Sequence, residues 1–385
     1  MHHNEHMILI ASDAFKGTIG SLEVAQSLRG PCEEAGFPVT VLPLADGGEG
    51  TVDALVTCGY EAHQVEVTGP LGQPVTARWA SLRDTAEVAA SSAASGTQGG
   101  TAVIEMAQAS GLHPVDPSPQ TAWDAHTYGT GELIAHAIEY GCTRVVVGVG
   151  GSATSDGGRG ALRAVTEAGV DTSGVAFTVA CDVDNPLTGP RGAAQVFGPQ
   201  KGADRATVAG LEERLARWAD QLDPTGRVRD LPGAGAAGGL GFALMAGLGA
   251  DRVSGAEFVL SAVGFDEQLA RASVVVTGEG QFDEQTLGGK GPGTVIARAG
   301  EAGVPVIVVC GQAKLRAGDV GAGLSGAGRA GQAGPAGAEV AEVFALTDFA
   351  PVQQCVAEPG RVLKEVGYAL AATVRDRGFC DGTSQ

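Results

Sequence analysis

Short apolar runs of strand length recur along this chain, and each ends in a polar, glycine-bearing loop. Residues 7–11 run into Ser12-Asp13, and residues 39–44 into Ala45-Asp46-Gly47-Gly48-Glu49-Gly50. Residues 144–149 lead to Gly150-Gly151-Ser152, residues 272–277 to Gly278-Glu279-Gly280, and residues 304–309 to Cys310-Gly311. Helical patterns follow several of these loops. One starts at Ser21, a candidate N-cap, with Leu22, Val24, Ala25 and Leu28 on its apolar face; another covers 51–57. Alternating strand, loop and helix predict a parallel sheet, which binds ligands outside the carboxyl ends of its strands. Glycine supplies 61 of the 385 residues, about twice the usual share of roughly 7%. Many positions therefore need a positive φ or a close backbone approach.

Between the two ends the pattern loosens. Strands over 61–67, 75–81 and 101–106 are separated by Gly, Pro and Ser, with a loose loop at 89–100. Helices fit 131–140, 161–168, 206–221 and 236–248. The alternation then returns, with a helix around 295–299, a strand at 343–346 and a closing helix at 361–371. The Gly/Ala-rich stretch 321–337 reads as a surface loop. The economical architecture is one discontinuous α/β domain built from residues 1–66 and 266–385. A second α/β domain, residues 67–265, is inserted into it and carries the densest glycine loop.

Lys plus Arg number 25 and Asp plus Glu 44, a net charge of −19. Such a surface repels phosphate backbones and excludes a nucleic-acid binder. No apolar run approaches the ~20 residues of a membrane span, and no cleavable leader is visible. Seven cysteines without a C-x-x-C pair read as reduced thiols of a cytoplasmic protein. His2, His3 and His6 read as a frayed leader. The chain lacks a Walker A loop, a dinucleotide fingerprint, a G-x-S-x-G elbow and an H-E-x-x-H pair.

Five loops carry candidate chemistry. In Ser12 to Thr18, Lys16 is a point charge for a phosphate or carboxylate. Asp46, Gly47, Gly48 and Glu49 suit metal or hydroxyl binding. Gly150, Gly151, Ser152, Thr154 and Asp156 lie in an NH-rich nest for an anion. Asp182, Asp184 and Asn185, followed by Lys201, suit Mg²⁺ or general-base chemistry. Gly278, Glu279, Gly280 and Asp283 precede a helix led by Lys290. Carboxylates, lysines and NH nests together make a kit for phosphoryl transfer, where catalysis is mostly positioning and charge neutralisation.

In this order the loops closely resemble the bacterial glycerate kinases of the type I family. The likeness runs through Ser12-Asp13 to Lys16-Gly17, Leu44 to Thr51, Gly129-Thr130-Gly131-Glu132-Leu133-Ile134, Gly148 to Gly158, Ala180 to Leu187, Phe197 to Ala203, Pro232 to Gly239, and Val276 to Gly280 with Gly289-Lys290. It departs from the family's pattern in a shorter segment between Gly169 and Phe177, and at Ser12 and Ala14, where Pro and Ser are usual. The lost hydroxyl at Ala14 weakens a ligand contact.

The resemblance implies a discontinuous Rossmann-like parallel α/β domain plus an inserted mixed α/β domain, with the active-site cleft between them. It implies ATP-dependent phosphorylation of D-glycerate to 2- or 3-phosphoglycerate, with ATP and Mg²⁺ as cofactors. No nucleic-acid or membrane partner is implied, and the chain is a monomer or homodimer. Asp182, Lys16 and Lys201 are then the catalytic candidates, Asp182 as base, although Asp46 or Asp156 fits that role nearly as well. Asp46, Gly47, Gly48, Glu49, Ser152, Thr154, Asp156 and Asn185 would bind substrate. Gly150, Gly151, Gly278, Gly280 and Lys290 would bind ATP phosphates. Asp283 and Glu279 would hold Mg²⁺. Rival readings are a kinase for another small hydroxy or sugar acid and a non-catalytic organic-acid-binding protein.

Overall fold

The structure, a computed structural model, describes residues 7–15, 17–83, 99–113, 115–288, 291–322 and 339–380. Lys16, Lys290, the N-terminal histidines and nearly all of the loops expected at 89–100 and 321–337 lie outside these residues. In chain order the strands are β1 (Met7–Ile10), β2 (Val39–Val41), β3 (Glu61–Thr68), β4 (Pro74–Arg83), β5 (Gly100–Glu105), β6 (Arg144–Gly148) and β7 (Ala176–Ala180). They continue with β8 (Asp251–Val253), β9 (Ala272–Thr277), β10 (Gln281–Phe282), β11 (Val306–Cys310), β12 (Gln312–Ala313) and β13 (Val340–Ala345).

The chain divides into two compact units, Met1–Ala45 with Val259–Gln385, and Asp46–Phe258. The first division falls well before residue 66, because β3 pairs along its whole length with β4, from Glu61–Ser81 to Thr68–Pro74. The Thr51–Thr57 helix goes with it, packed on β4 and β5.

The first unit holds a parallel five-stranded sheet in the order β13-β11-β9-β1-β2. All four residues of β1 and all five of β11 are buried. Covering helices make such strands read as unbroken apolar runs. On one face the Ser21–Glu34 and Pro359–Asp376 helices pack together and bury Val24, Leu28, Val362, Val366 and Leu370 with Ile8, Ile10 and Val276. Ser21 is not the N-cap of its helix. Gly20 is, and its N–H donates to the Glu23 carboxylate at 3.2 Å; the Ser21 hydroxyl accepts the Leu44 N–H instead.

The second unit holds a six-stranded sheet in the order β3-β4-β5-β6-β7-β8. Its first two pairings are antiparallel and the other three parallel. Trp79, Ile104, Leu133, Val147 and Val179 centre its main core, and Leu211, Leu215 and Phe242 a second one beneath the Arg205–Leu222 helix. The helix expected from residue 236 begins at Leu240. Ala237, Gly238 and Gly239 have φ of 50°, 65° and 95°, a left-handed run that cannot continue a right-handed helix. A Cβ on Gly238 would lie 1.9 Å from the Thr154 carbonyl oxygen. Among the described residues, no helix is long and apolar enough to cross a membrane.

Candidate active site

In the second unit β5, β6, β7 and β8 end at Glu105, Gly148, Ala180 and Val253. Their parallel pairing brings these ends to one edge of the sheet, and three of the five loops singled out in the sequence, at 46–50, 148–158 and 181–187, belong to this unit. The Asp46–Gly50 segment lies against the start of the Gly148–Gly158 loop. A Cβ on Gly150 would sit 2.5 Å from the Gly48 Cα, so the two backbones meet where only glycine fits. Asp46 Oδ1 accepts the Gly48 N–H at 3.1 Å, and the Thr51 hydroxyl donates to the Gly48 carbonyl at 2.7 Å. Glu49 is exposed.

Asp182 follows β7 and turns its carboxylate to the start of the Gly255–Ala262 helix. Oδ1 accepts the Ser254 hydroxyl at 2.6 Å and the Gly255 N–H at 2.9 Å, and Oδ2 accepts the Ala256 N–H at 3.1 Å. Burial pushes its carboxyl above the usual range; the three donors oppose this, and the Asp46 charge adds to it. A negative group at a helix N-terminus is favourable. Asp182 thus holds a helix, and a base role would set it free of three partners.

Lys201 is 2% exposed and lies behind the anion loop rather than on it. Its Nζ donates to Ser152 Oγ at 2.9 Å and to the Thr154 carbonyl at 2.5 Å. Burial pushes its ammonium down from 10.5 to about 7, against the pull of Asp156. Ser152 is half-buried and accepts from Lys201, so its own O–H still has a proton to give. Thr154 is buried and donates to the Ala237 carbonyl at 3.2 Å.

Asp156 accepts from the Thr127 N–H and hydroxyl, the Gly158 N–H and the Gly160 N–H, all between 2.9 and 3.1 Å. Those four donors lie at the starts of the Tyr128–Glu139 and Arg159–Ala168 helices, so Asp156 ties two helices together. Asn185 donates to the Arg191 carbonyl at 2.8 Å and braces its own loop. Of the substrate-binding candidates, the geometry brings Asp46, Gly47, Gly48 and Ser152 together, beside Gly150 and Gly151. Thr154, Asp156 and Asn185 spend hydrogen bonds on neighbouring backbone.

Sequence reasoning missed Glu105. It ends β5, is 1% exposed, and accepts the Val52 N–H at 3.3 Å beneath the Asp46–Gly50 loop. Burial pushes its carboxyl up from 4.5 to about 7. The signal was present: a lone carboxylate closing an otherwise uncharged strand.

In the first unit the loops after β1 and β9 are joined. The Ser12 hydroxyl and the Asp13 N–H both donate to the Gly278 carbonyl, at 3.2 and 2.8 Å. A Cβ on Gly278 would fall 1.6 Å from the Val309 carbonyl oxygen. β10 and β12 pair just beyond, fixing Glu279 and Gly280 against Gly311 and Gln312. Asp283 follows. Its Oδ2 accepts the Gln281 amide at 2.7 Å and lies 3.5 Å from Lys314 Nζ, and its Oδ1 accepts the Gln285 N–H. Burial raises its carboxyl, but Gln281, Gln285 and Lys314 outweigh that and hold it below the usual range. The expectation of a Mg²⁺ site on Asp283 and Glu279 meets this ammonium. Among the described residues no three His, Cys, Asp or Glu side chains gather to hold a metal ion. Two carboxylates alone would need nucleotide phosphates and water to complete the shell Mg²⁺ prefers.

The sequence model of the glycerate kinase family matches residues 8–175 and 166–329. A glycerate kinase of Bacillus subtilis strain 168 is 42% identical over 338 residues, 79% of this chain and 85% of its own. A glycerate 2-kinase of Escherichia coli K12 is 40% identical over 339 residues, with the same two shares. A crystal structure of a "putative glycerate kinase 2" from Salmonella typhimurium LT2 aligns with a TM-score of 0.72 at 34% identity. It covers 97% of this chain and 99% of that one. The chain belongs to the glycerate kinase family.

Proposed function

We infer that the chain phosphorylates D-glycerate with ATP, giving 2- or 3-phosphoglycerate. Family membership supports the reaction. The observation that supports its placement is the Ser152 hydroxyl, backed by the buried Lys201 and set beside the Gly48–Gly150 contact and the Asp46 carboxylate. A carboxylate ligand accepts from the Ser152 O–H and from the amides of Gly150 and Gly151, with Lys201 Nζ donating to Ser152 behind them. One hydroxyl oxygen of the same ligand attacks the γ-phosphorus. The bond from that phosphorus to the β–γ bridging oxygen breaks, ADP departs, and the hydroxyl proton passes to a carboxylate. With Asp182 committed to the Gly255–Ala262 helix, we assign that proton to Asp46. Lys201 touches neither reactant; it positions Ser152. The divalent ion that accompanies ATP is carried by the nucleotide's phosphates and water, as Mg²⁺ prefers.

The test is purified protein with Mg²⁺-ATP and D-glycerate, ADP release followed by a coupled assay, and the product identified by phosphorus NMR. A phosphoglycerate signal supports the reading, and its coupling pattern names the hydroxyl. No turnover on D-glycerate, with turnover on tartronate or a sugar acid in the same assay, overturns the substrate.

A further inference from the structure

Within the second unit a cavity of about 510 Å³ opens where the Gly148–Gly158 loop runs into the Arg159–Ala168 helix. Its size suits a small-molecule pocket, typically about 300–1,000 Å³, and far exceeds a three-carbon acid. Arg159, Arg163 and Arg214 line it, with Trp123, His126 and Tyr128. Three guanidiniums in one cavity stand out in a chain with a net charge of −19.

Each guanidinium lies over an aromatic ring: Arg214 over Trp123 at 4.6 Å, Arg163 over Tyr128 at 5.3 Å and Arg159 over Trp218 at 5.5 Å. Cation–π attraction holds each guanidinium against its ring, and a guanidinium fork matches carboxylate and phosphate oxygens. Arg159 has no ion pair among the described residues. Arg214 donates to the carbonyls of Trp123 and Ser155, at 2.8 and 2.7 Å, so no carboxylate cancels it directly. Arg163 is paired with Glu167 at 2.8 Å. Two carboxylates also line the cavity. Asp156 is absorbed by its four donors, and Asp124 is exposed at the rim and accepts the Gln120 amide. The Tyr128–Glu139 and Arg159–Ala168 helices both begin here, with Asp156 already capping their starts, so the three guanidiniums supply the cavity's positive charge.

We propose that this cavity is a second anion site, separate from the catalytic loop, for a small molecule carrying at least two carboxylate or phosphate groups. Such a ligand bridges the starts of two helices and braces the end of the loop whose other end carries Ser152. Binding here therefore couples to that loop.

Calorimetric titration of the full chain with inorganic pyrophosphate, and separately with citrate, tests this whether or not D-glycerate is the substrate. We expect saturable binding of at least one anion, and the tighter one names the ligand's acidic group. In an Arg159→Gln/Arg163→Gln double variant that affinity falls at least 10-fold. Its unliganded Tm stays that of the parent, and its kcat and KM without added anion stay within about 2-fold. No saturable binding, or equal affinity in the variant, overturns the proposal. So does a raised KM for D-glycerate in the variant, which would make the cavity part of the catalytic site.

Discussion

Glu105 and Lys201 carry opposite charges into one interior, and burial drives both toward neutrality near pH 7. Glu105 rises from 4.5 to about 7. Between those values the folded chain keeps a proton that the unfolded chain has lost, so stability falls as pH climbs through that window. Lys201 drops from 10.5 to about 7. Between those values the unfolded chain holds the extra proton, so stability rises as pH climbs. Together they put a dip near pH 7 in the stability curve. Melting temperature against pH should lose its acid arm in Glu105→Gln and its alkaline arm in Lys201→Met; unchanged arms would remove the assignment. A second expectation separates the two aspartates. Asp46→Asn should lower kcat by about 10²-fold or more with little change in Tm. Asp182→Ala should lower Tm by removing three acceptor contacts at a helix start, about 1–2 kcal/mol. If the Asp182 variant keeps its Tm and loses kcat instead, the roles are reversed.

The loops work as elements because glycine lets them touch. Gly150→Ala places a methyl 2.5 Å from the Gly48 Cα, backbone that cannot swing away. It should cut kcat at least 10-fold and lower Tm. Gly249→Ala offers a control, since its φ is +66° but nothing lies within 4 Å. It should cost only the left-handed strain, about 1 kcal/mol, and leave kcat alone. Gly48 and Gly150 were legible, as was nearly every strand of the two sheets, the buried parallel ones as unbroken apolar runs. The partners of Asp182 were not: Ser254 is 72 residues away, and only the pairing of β7 with β8 brings it near. Thr154 and Asp156 read as ligands from their nest, and the hydrogen bonds each makes run within the frame. The residue types that bind an anion are the same ones that cap a helix. Lys201 was placed in the right loop, but nothing local says that a lysine will point inward.

At the scale of the whole chain, the second unit is one continuous segment while the first is assembled from two. A fragment spanning residues 46–258 should melt cooperatively and keep the α/β circular dichroism of a folded domain. A fragment of residues 259–385 should not, because β9 would lose its partner β1 and the Pro359–Asp376 helix the Ser21–Glu34 helix it packs on. Cooperative melting of that second fragment would show that the two-part sheet does not need its N-terminal piece.

The sheet order β13-β11-β9-β1-β2 puts the first strand made beside one that begins at Ala272. On a ribosome adding about 5–20 residues per second, Met7–Ile10 emerges early and waits on the order of tens of seconds for that neighbour. The inserted unit can finish folding during the wait. Throughout it, an apolar strand destined for the middle of a sheet has one open edge. A synonymous codon change that slows translation between β1 and residue 272 would lengthen that exposure without altering a single contact in the finished protein.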